Sequence, residues 1–276
     1  MSEQVTIIQI TDTHLTGDQA PLHGSVDTAA QLRHVVERIM AGRRTIDAIV
    51  LSGDTSSDGS AASYSRLISV LEPLATTSGA QVIHLPGNHD DRDEYAEALG
   101  LPHGFDRAVD IGALRIVSLD STRPGRHDGY LTAEQLNWLA TQIATAPKLG
   151  LVLCLHHPPM RSPIRTVDAL RLKNADELAD VLDASVVRAI LGGHVHYTGC
   201  AVVAGIPVWS GVPASYQLDG WAPAGQQRGL GGYGFSRIDI DADGISAIAV
   251  PAEAAPVVYE RDDASYDELL AEYLGT

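Results

Sequence analysis

The chain is short of cysteine, of basic residues and of long apolar runs, and each shortage excludes something. Only Cys154 and Cys200 occur among 276 residues, so no disulfide framework can hold the fold together. Both lie in apolar runs and read as buried free thiols of a reducing cytoplasm. The 19 basic residues face 35 acidic ones, a net charge of −16, which argues against a nucleic-acid polymer or an anionic membrane surface as partner. No apolar stretch approaches the roughly 20 residues of a membrane span. Met1 to Gln4 carries no basic segment and Val5 to Ile10 is too short for a signal-peptide core, so no signal peptide is expected. Repeats, linkers and low-complexity tracts are missing too. The 45% hydrophobic content is ordinary for a globular chain and is enough to bury a large core. Residues 1–276 therefore read as one domain, with 197–276 packing on the core and offering a dimer interface.

What is present is an alternation of strands and helices. Val5–Ile10, Ala48–Leu51 and Gln81–Leu85 are short, nearly continuous apolar runs, the pattern of strands covered on both faces. Between them, Val26–Met40 repeats apolar residues at a helical period, and Ala61–Leu74 puts Tyr64, Leu67, Ile68 and Leu71 on one face. Asp91–Leu99 follows as a short helix. Further strands are expected at Ala113–Leu119, Leu151–Leu155 and Val186–Leu191. Helices are expected from the Thr132-x-x-Gln135 capping box and over Asp176–Leu182. After His196 come short strands at Ala201–Ala204, Pro207–Ser210, Tyr233–Ile240 and Ile245–Val250. A last helix opens at Ser265-x-x-Glu268 and stops at Gly275. Its stripe of Tyr266, Leu269, Leu270 and Tyr273 reads more readily as core packing than as a dimer contact. The result is an α/β fold with an antiparallel tail, that is, two packed sheets with outer helices. Two long loops, Pro158–Lys173 and Gly211–Gly232, are candidates for function.

Five segments stand at the C-terminal ends of expected strands, the edge where α/β sheets assemble their sites. They are Asp12-Thr-His14, Gly53-Asp54, Gly87-Asn88-His89-Asp90, His156-His157-Pro158 and Gly193-His194-Val195-His196. Together they offer Asp12, His14, Asp54, Asn88, His156, His194 and His196. Seven donors exceed one tetrahedral zinc site and suffice for two ions sharing a carboxylate. Mixed carboxylate and imidazole donors suit Zn, Mn, Fe or Co rather than Ca. Singly each motif is weak; their conjunction in order is specific.

The series resembles the calcineurin-like metallophosphoesterase superfamily from Val5 to about Ser210, most closely the bacterial class III cyclic-nucleotide phosphodiesterases and related glycerophosphodiesterases. The resemblance implies a four-layer α-β-β-α sandwich around two metal ions. By motif, Asp12, His14 and His196 bind the first ion, Asp54 bridges, and Asn88, His156 and His194 bind the second. Relatives commonly read His-x-Pro, which selects His156 and leaves His157 behind the site or in the core. The departure is at Thr55-Ser56-Ser57-Asp58, where many relatives carry an acidic or asparagine residue directly after the aspartate.

The function so implied is hydrolysis of a small phosphodiester, a cyclic nucleotide such as 3′,5′-cAMP, by a metal-bridging hydroxide. Asn88, His89 and His127 would face the phosphate, with His89 as electrophile or general acid. Asp90 either orients the His89 ring or caps the following helix. Arg123 and Arg126 either add positive field or face solvent. His23, His34, His84 and His103 receive no role. Glycerophosphodiester or phosphomonoester hydrolysis on the same site is the alternative reading, and a non-catalytic metal-binding scaffold a third, disfavoured because every donor is present. The resemblance also favours a homodimer.

Overall fold

In the computed structural model, residues 4–18, 20–101, 104–253 and 255–275 are described. His103 lies outside them. In chain order the elements are β1 (Val5–Ile10), α1 (Thr28–Ala41), β2 (Ala48–Ser52), α2 (Ala61–Ser78), β3 (Gln81–Leu85), α3 (Arg92–Leu99), β4 (Arg107–Ile111), β5 (Leu114–Ser118), α4 (Ala133–Ala144), β6 (Leu151–Cys154), α5 (Arg165–Leu170), α6 (Ala175–Val181) and β7 (Val187–Gly192). Then follow β8 (Gly199–Val203), β9 (Ile206–Ser210), β10 (Gln217–Leu218), β11 (Gly229–Leu230), β12 (Gly234–Ile240), β13 (Ile245–Pro251) and α7 (Asp263–Leu274).

The strands form two large mixed sheets, ordered β13-β12-β1-β2-β3 and β4-β5-β6-β7-β9-β8. Period-2 alternation explains why the central strands are apolar throughout. In β1, Val5 and Ile7 pack into a cluster shared with Val152, Cys154 and Leu191 of the other sheet. Ile8 and Ile10 point the opposite way, onto Leu32 and Val35 of α1 and Leu67 and Leu71 of α2. The second sheet repeats the scheme, with Leu151 and Leu153 against Leu136 and Leu139 of α4 and Leu178 of α6. Helices thus flank a face-to-face pair of sheets, and the α-β-β-α layering expected from the sequence is present.

Local signals account for several boundaries. The Thr132 and Gln135 side chains make the reciprocal capping box that opens α4. Asp27 caps α1 by accepting from Ala30 N at 2.9 Å. The strand β4, paired antiparallel with β5, was not expected; its half-exposed alternation carries little apolar signal. The final helix begins earlier than its Ser265 motif suggested, because Asp262 is the cap and accepts from Ser265 N at 2.9 Å.

Three expectations are corrected. Cys200 is exposed, whereas Cys154 is buried. The reason is topological: β8 is an edge strand whose residues alternate between covered and open faces. The α7 stripe is not core, since no α7 residue is buried and Tyr266, Leu270 and Tyr273 are 46%, 51% and 73% exposed. The tail is also not one antiparallel unit: β12 and β13 extend the first sheet beside β1, while β9 pairs parallel with β7 in the second.

The parallel runs β1-β2-β3 and β5-β6-β7 end at one edge. Buried Gln9 ties the sheets together there, donating to Ser52 Oγ and to the Gly192 carbonyl, both at 2.9 Å. That edge carries the five motifs.

Candidate metal centre

The backbone at this edge is unusual before any side chain is considered. Asp12, His14, Asp54, His194 and His196 all have positive φ, between 46° and 69°. For residues with a Cβ such conformations cost of order 1–3 kcal/mol each and persist only where the surroundings impose them. Here backbone bonds between strand ends impose them: Asp12 N donates to Gly53 O at 3.0 Å and His14 N to Asp54 O at 2.9 Å.

The side chains then converge. Asp12, His14, Asp54 and His196 bring one donor atom each within 4.8 Å of one another, and His156, His157 and His194 do the same beside them. The Nε2 atoms of His14 and His196 are 3.0 Å apart. Asp54 Oδ2 joins the two groups, 3.5 Å from His14 Nε2 and 3.4 Å from His156 Nε2. The remaining oxygens are held by the backbone: His194 N donates to Asp12 Oδ1 at 3.0 Å, and His89 N to Asp54 Oδ1 at 2.9 Å.

Hydrogen bonds also select the imidazole tautomers. His156 Nδ1 lies 2.8 Å from the Ser52 carbonyl, and His196 Nδ1 lies 3.0 Å from the Tyr216 carbonyl. A carbonyl only accepts, so Nδ1 carries a proton in each ring and Nε2 is the atom left to face the centre. Burial holds His14 well below its ordinary pKa, and burial with His156 nearby brings His194 down to about 3. Both rings are therefore neutral at physiological pH, the state a metal requires. Burial opposes ionisation of Asp54, yet the surrounding His156, His14 and His89 outweigh it and keep the carboxyl well below its usual range.

The fit to metal can be tested on the unpartnered atoms. His156 Nε2, His157 Nε2, His14 Nδ1 and Asn88 Oδ1 are buried without a hydrogen-bond partner. Buried polar atoms rarely go unpaired. His156 Nε2 stands 3.4 Å from Asp54 Oδ2, His14 and His157 belong to the two donor groups, and Asn88 lines the cavity above them, so this residue set fits a metal centre.

The other sequence candidates separate into groups. His89 is exposed at the mouth, its ring 5.0 Å from that of His14 and 5.6 Å from that of His127. His127 Nδ1 lies 3.1 Å from Asn88 Nδ2. His14, Asn88, His89 and His127 line one cavity of about 310 Å³ over the centre, with Val167 and Tyr216 from the two long loops. His84 bonds Tyr95 and His34 bonds Tyr233, and neither lines this cavity.

Two expectations fail here. Asp90 neither orients the His89 ring nor caps α3; its carboxylate accepts from Gly87 N, Thr55 N, Thr55 Oγ1 and Ser56 N, and Asp91 is the cap. Asp90 thus ties the β2 and β3 loops together, the place where Thr55 and Ser56 stand instead of another acid. Arg123 and Arg126 supply little free positive field, because both pair with Asp128.

The sequence reading leaves His157 behind the site or in the core, and Tyr216 escapes it. His157 sits in the second histidine group, its ring 4.5 Å from that of His194, with Nδ1 on Ser121 Oγ at 2.9 Å. Tyr216 stacks on His196 with ring centres 4.2 Å apart. The doubled histidine before Pro158 was the available signal for the former; nothing local marked the latter.

Two glycines make the close approach possible. Gly53 has φ +97°, and a Cβ there would lie 2.4 Å from His156 Nδ1. A Cβ on Gly87 would lie 2.2 Å from both Asp54 N and Oδ1. Gly87→Ala is therefore expected to displace Asp54, lowering stability by about 1–3 kcal/mol and metal content with it. Thermal unfolding and elemental analysis of the purified variant check this.

Residues 5–198 match the calcineurin-like phosphoesterase family. The chain belongs to that family. It is a metal-dependent phosphoric ester hydrolase, as calcineurin-like phosphoesterases are. The chain is 36% identical over 263 residues to a probable cyclic nucleotide phosphodiesterase of Rhodococcus erythropolis, covering 94% of this chain and 87% of that protein. It is 38% identical over 231 residues to a cAMP/cGMP dual specificity phosphodiesterase of Mycobacterium tuberculosis, covering 82% and 72%. Among solved structures, a dimetal phosphatase from Danio rerio superposes with a TM-score of 0.65 at 14% identity, covering 90% of this chain and 96% of that one. At that identity the likeness speaks for the fold alone.

Proposed function

We propose that this calcineurin-like phosphoesterase is a dinuclear phosphodiesterase whose substrate is a cyclic nucleotide such as 3′,5′-cAMP. Asp12, His14 and His196 hold one ion, Asn88, His156 and His194 the other, and Asp54 is shared. The observation that carries the reading is the meeting of Asp12, His14, Asp54, His156, His194 and His196, five of them on left-handed backbone, with unpartnered buried atoms among them and Asn88 in the lining of the cavity above. The names of relatives covering 70% or more of the chain support the substrate class.

When bound, two cations neutralise the nonbridging phosphate oxygens and bring water within reach of ionisation near neutral pH. The protein's own groups do the rest. The carbonyls of Ser52 and Tyr216 hold His156 and His196 in the donating tautomer. His89 stands in the open cavity with its backbone N–H on Asp54, placed to give a proton to the leaving oxygen. Asn88 and His127, in contact, flank the phosphate. Cations at this edge also reverse locally the field of a chain with net charge −16, which an anionic substrate requires. The ions are Fe, Mn, Zn or Co by donor type. The reading places the enzyme in the cytoplasm, supported by two free thiols, and as a homodimer, supported by the apolar residues that α7 exposes.

Turnover of bis(p-nitrophenyl) phosphate, p-nitrophenyl phosphate, a glycerophosphodiester and 3′,5′-cAMP by Mn²⁺-loaded protein tests the proposal. The expected result is cAMP hydrolysis, with a kcat/KM for the diester at least about tenfold above the monoester, a difference of roughly 1.4 kcal/mol in transition-state binding. Preference for the monoester would select phosphomonoester hydrolysis, and glycerophosphodiester turnover without cAMP turnover the related diesterase. A fully metal-loaded protein inert toward all of them would be a scaffold.

A further inference from the structure

Two cavities flank the proposed metal pocket, and their chemistry differs. One, of about 470 Å³, lies beyond Asn88 and is walled by Asp91, Arg92, Asp93, Arg123, Arg126 and His127. The other, of about 430 Å³, lies beyond Tyr216 and is walled by His23, Val26, Leu218, Gln227, Leu230 and Arg228, the last paired with Asp219. A flat heteroaromatic ring is accommodated by apolar and aromatic walls with a few polar atoms for its edge. Desolvating a set of paired charges opposes its entry. Of the two, the second has the more apolar and aromatic walls, with one charged residue against six in the first, Asp90 included.

That cavity is also continuous with the metal pocket, since Tyr216, Leu218 and Gln227 line both. Tyr216 is the hinge of the arrangement. Its ring stacks on His196 at 4.2 Å and meets the His23 ring edge-on at 5.1 Å. The short ladder β10–β11, pairing Gln217 with Leu230 and Leu218 with Gly229, holds the outer wall. Gln227 contacts Thr166 of α5 across the mouth, so both long loops contribute to the enclosure.

We infer that the cavity walled by His23, Tyr216, Leu218, Gln227 and Leu230 receives the base of the nucleotide whose phosphate lies over the metal centre. Tyr216 and the leucines cover the ring faces, and the Gln227 amide, which both donates and accepts, meets the base edge. Leu218, Gln227 and Leu230 are specificity-determining residues outside the proposed metal-donor set. The inference rests on the cyclic-nucleotide reading and deepens it.

The experiment compares 3′,5′-cAMP with a base-free analogue, methyl riboside 3′,5′-cyclic phosphate, on the Mn²⁺-loaded full chain. Wild type is expected to favour cAMP in kcat/KM by roughly tenfold or more, the worth of burying one apolar side-chain equivalent. Leu230→Asp and Gln227→Ala alter exposed positions, so folding is not at stake, and metal content is measured alongside. Each should raise the KM for cAMP, by about tenfold for Leu230→Asp, with kcat retained and the base-free analogue changed by less than about twofold. Parallel losses on both substrates, or unchanged cAMP kinetics in both variants, would overturn the inference while leaving the phosphodiesterase reading intact. Equal wild-type kcat/KM on the two substrates would also overturn it. Failure of fully metal-loaded wild type to cleave either substrate would instead remove the cyclic-nucleotide reading itself, and the base site with it.

Discussion

Replacing Asp54 by alanine is expected to empty the metal centre and abolish turnover together. Asp54 Oδ2 is the atom nearest to donors of both groups, at 3.5 Å from His14 Nε2 and 3.4 Å from His156 Nε2. Its loss therefore takes negative charge and a shared donor from both proposed ions at once. Elemental analysis should show both ions depleted, and kcat/KM should fall by at least about 10³-fold, since metal help is worth several kcal/mol. The metal-free protein offers a second readout. Burial alone would lower His156, but the Asp54 carboxylate overrides it and lifts the ring to about 9. A raised histidine pKa contributes stability that is fully present below the unfolded value of about 6.5 and is lost as pH rises through the folded one. The gap in melting temperature between chelated wild type and Asp54→Ala should therefore be wider near pH 6 than above pH 9. Retention of both ions in the variant would show that Asp54 bridges nothing.

His89→Ala should behave in the opposite way on metal. The ring is exposed, and the link from His89 to Asp54 is its backbone N–H at 2.9 Å, which alanine keeps. Metal content is expected to stay at the wild-type level while turnover slows by roughly 10²–10⁴-fold, the usual contribution of general acid–base help. A substrate with a good leaving group, such as bis(p-nitrophenyl) phosphate, needs less proton donation, so its loss should be smaller than that of cAMP. Loss of metal in His89→Ala would make His89 a ligand; equal losses on both substrates would remove its role as proton donor.

Much of the fold was legible because the central strands are buried on both faces and therefore apolar at every position, as in Val5–Ile10 and Ala48–Leu51. The helices were legible where one face is apolar and a side chain caps the start, as at Thr132 and Gln135. Legibility failed where half-exposure blurs the pattern. Strand β4 alternates weakly, and Cys200 lies in an apolar run whose strand happens to be at a sheet edge. In α7 a stripe suited to packing has no buried residue. At the site, Asp90 was misread because its partners, Thr55 and Ser56 some 34 or 35 positions away, are neighbours only after β2 and β3 pair.

The sequence by itself determined the donor types, their order and their placement at strand ends, because an apolar run followed by glycine and a carboxylate or imidazole is a local property. It also determined the acidic balance that makes local cations necessary for an anionic substrate. The tertiary structure decided which donors meet. His14 and His196 are 182 positions apart and stand 3.0 Å from each other only because two sheets pack face to face with their parallel strands ending together. The same packing decided the tautomers, through carbonyls of Ser52 and Tyr216 that no motif marks, and brought the 211–232 loop to the side of the centre. Contacts between distant segments depend on how layers stack, and local chemistry constrains that stacking only weakly.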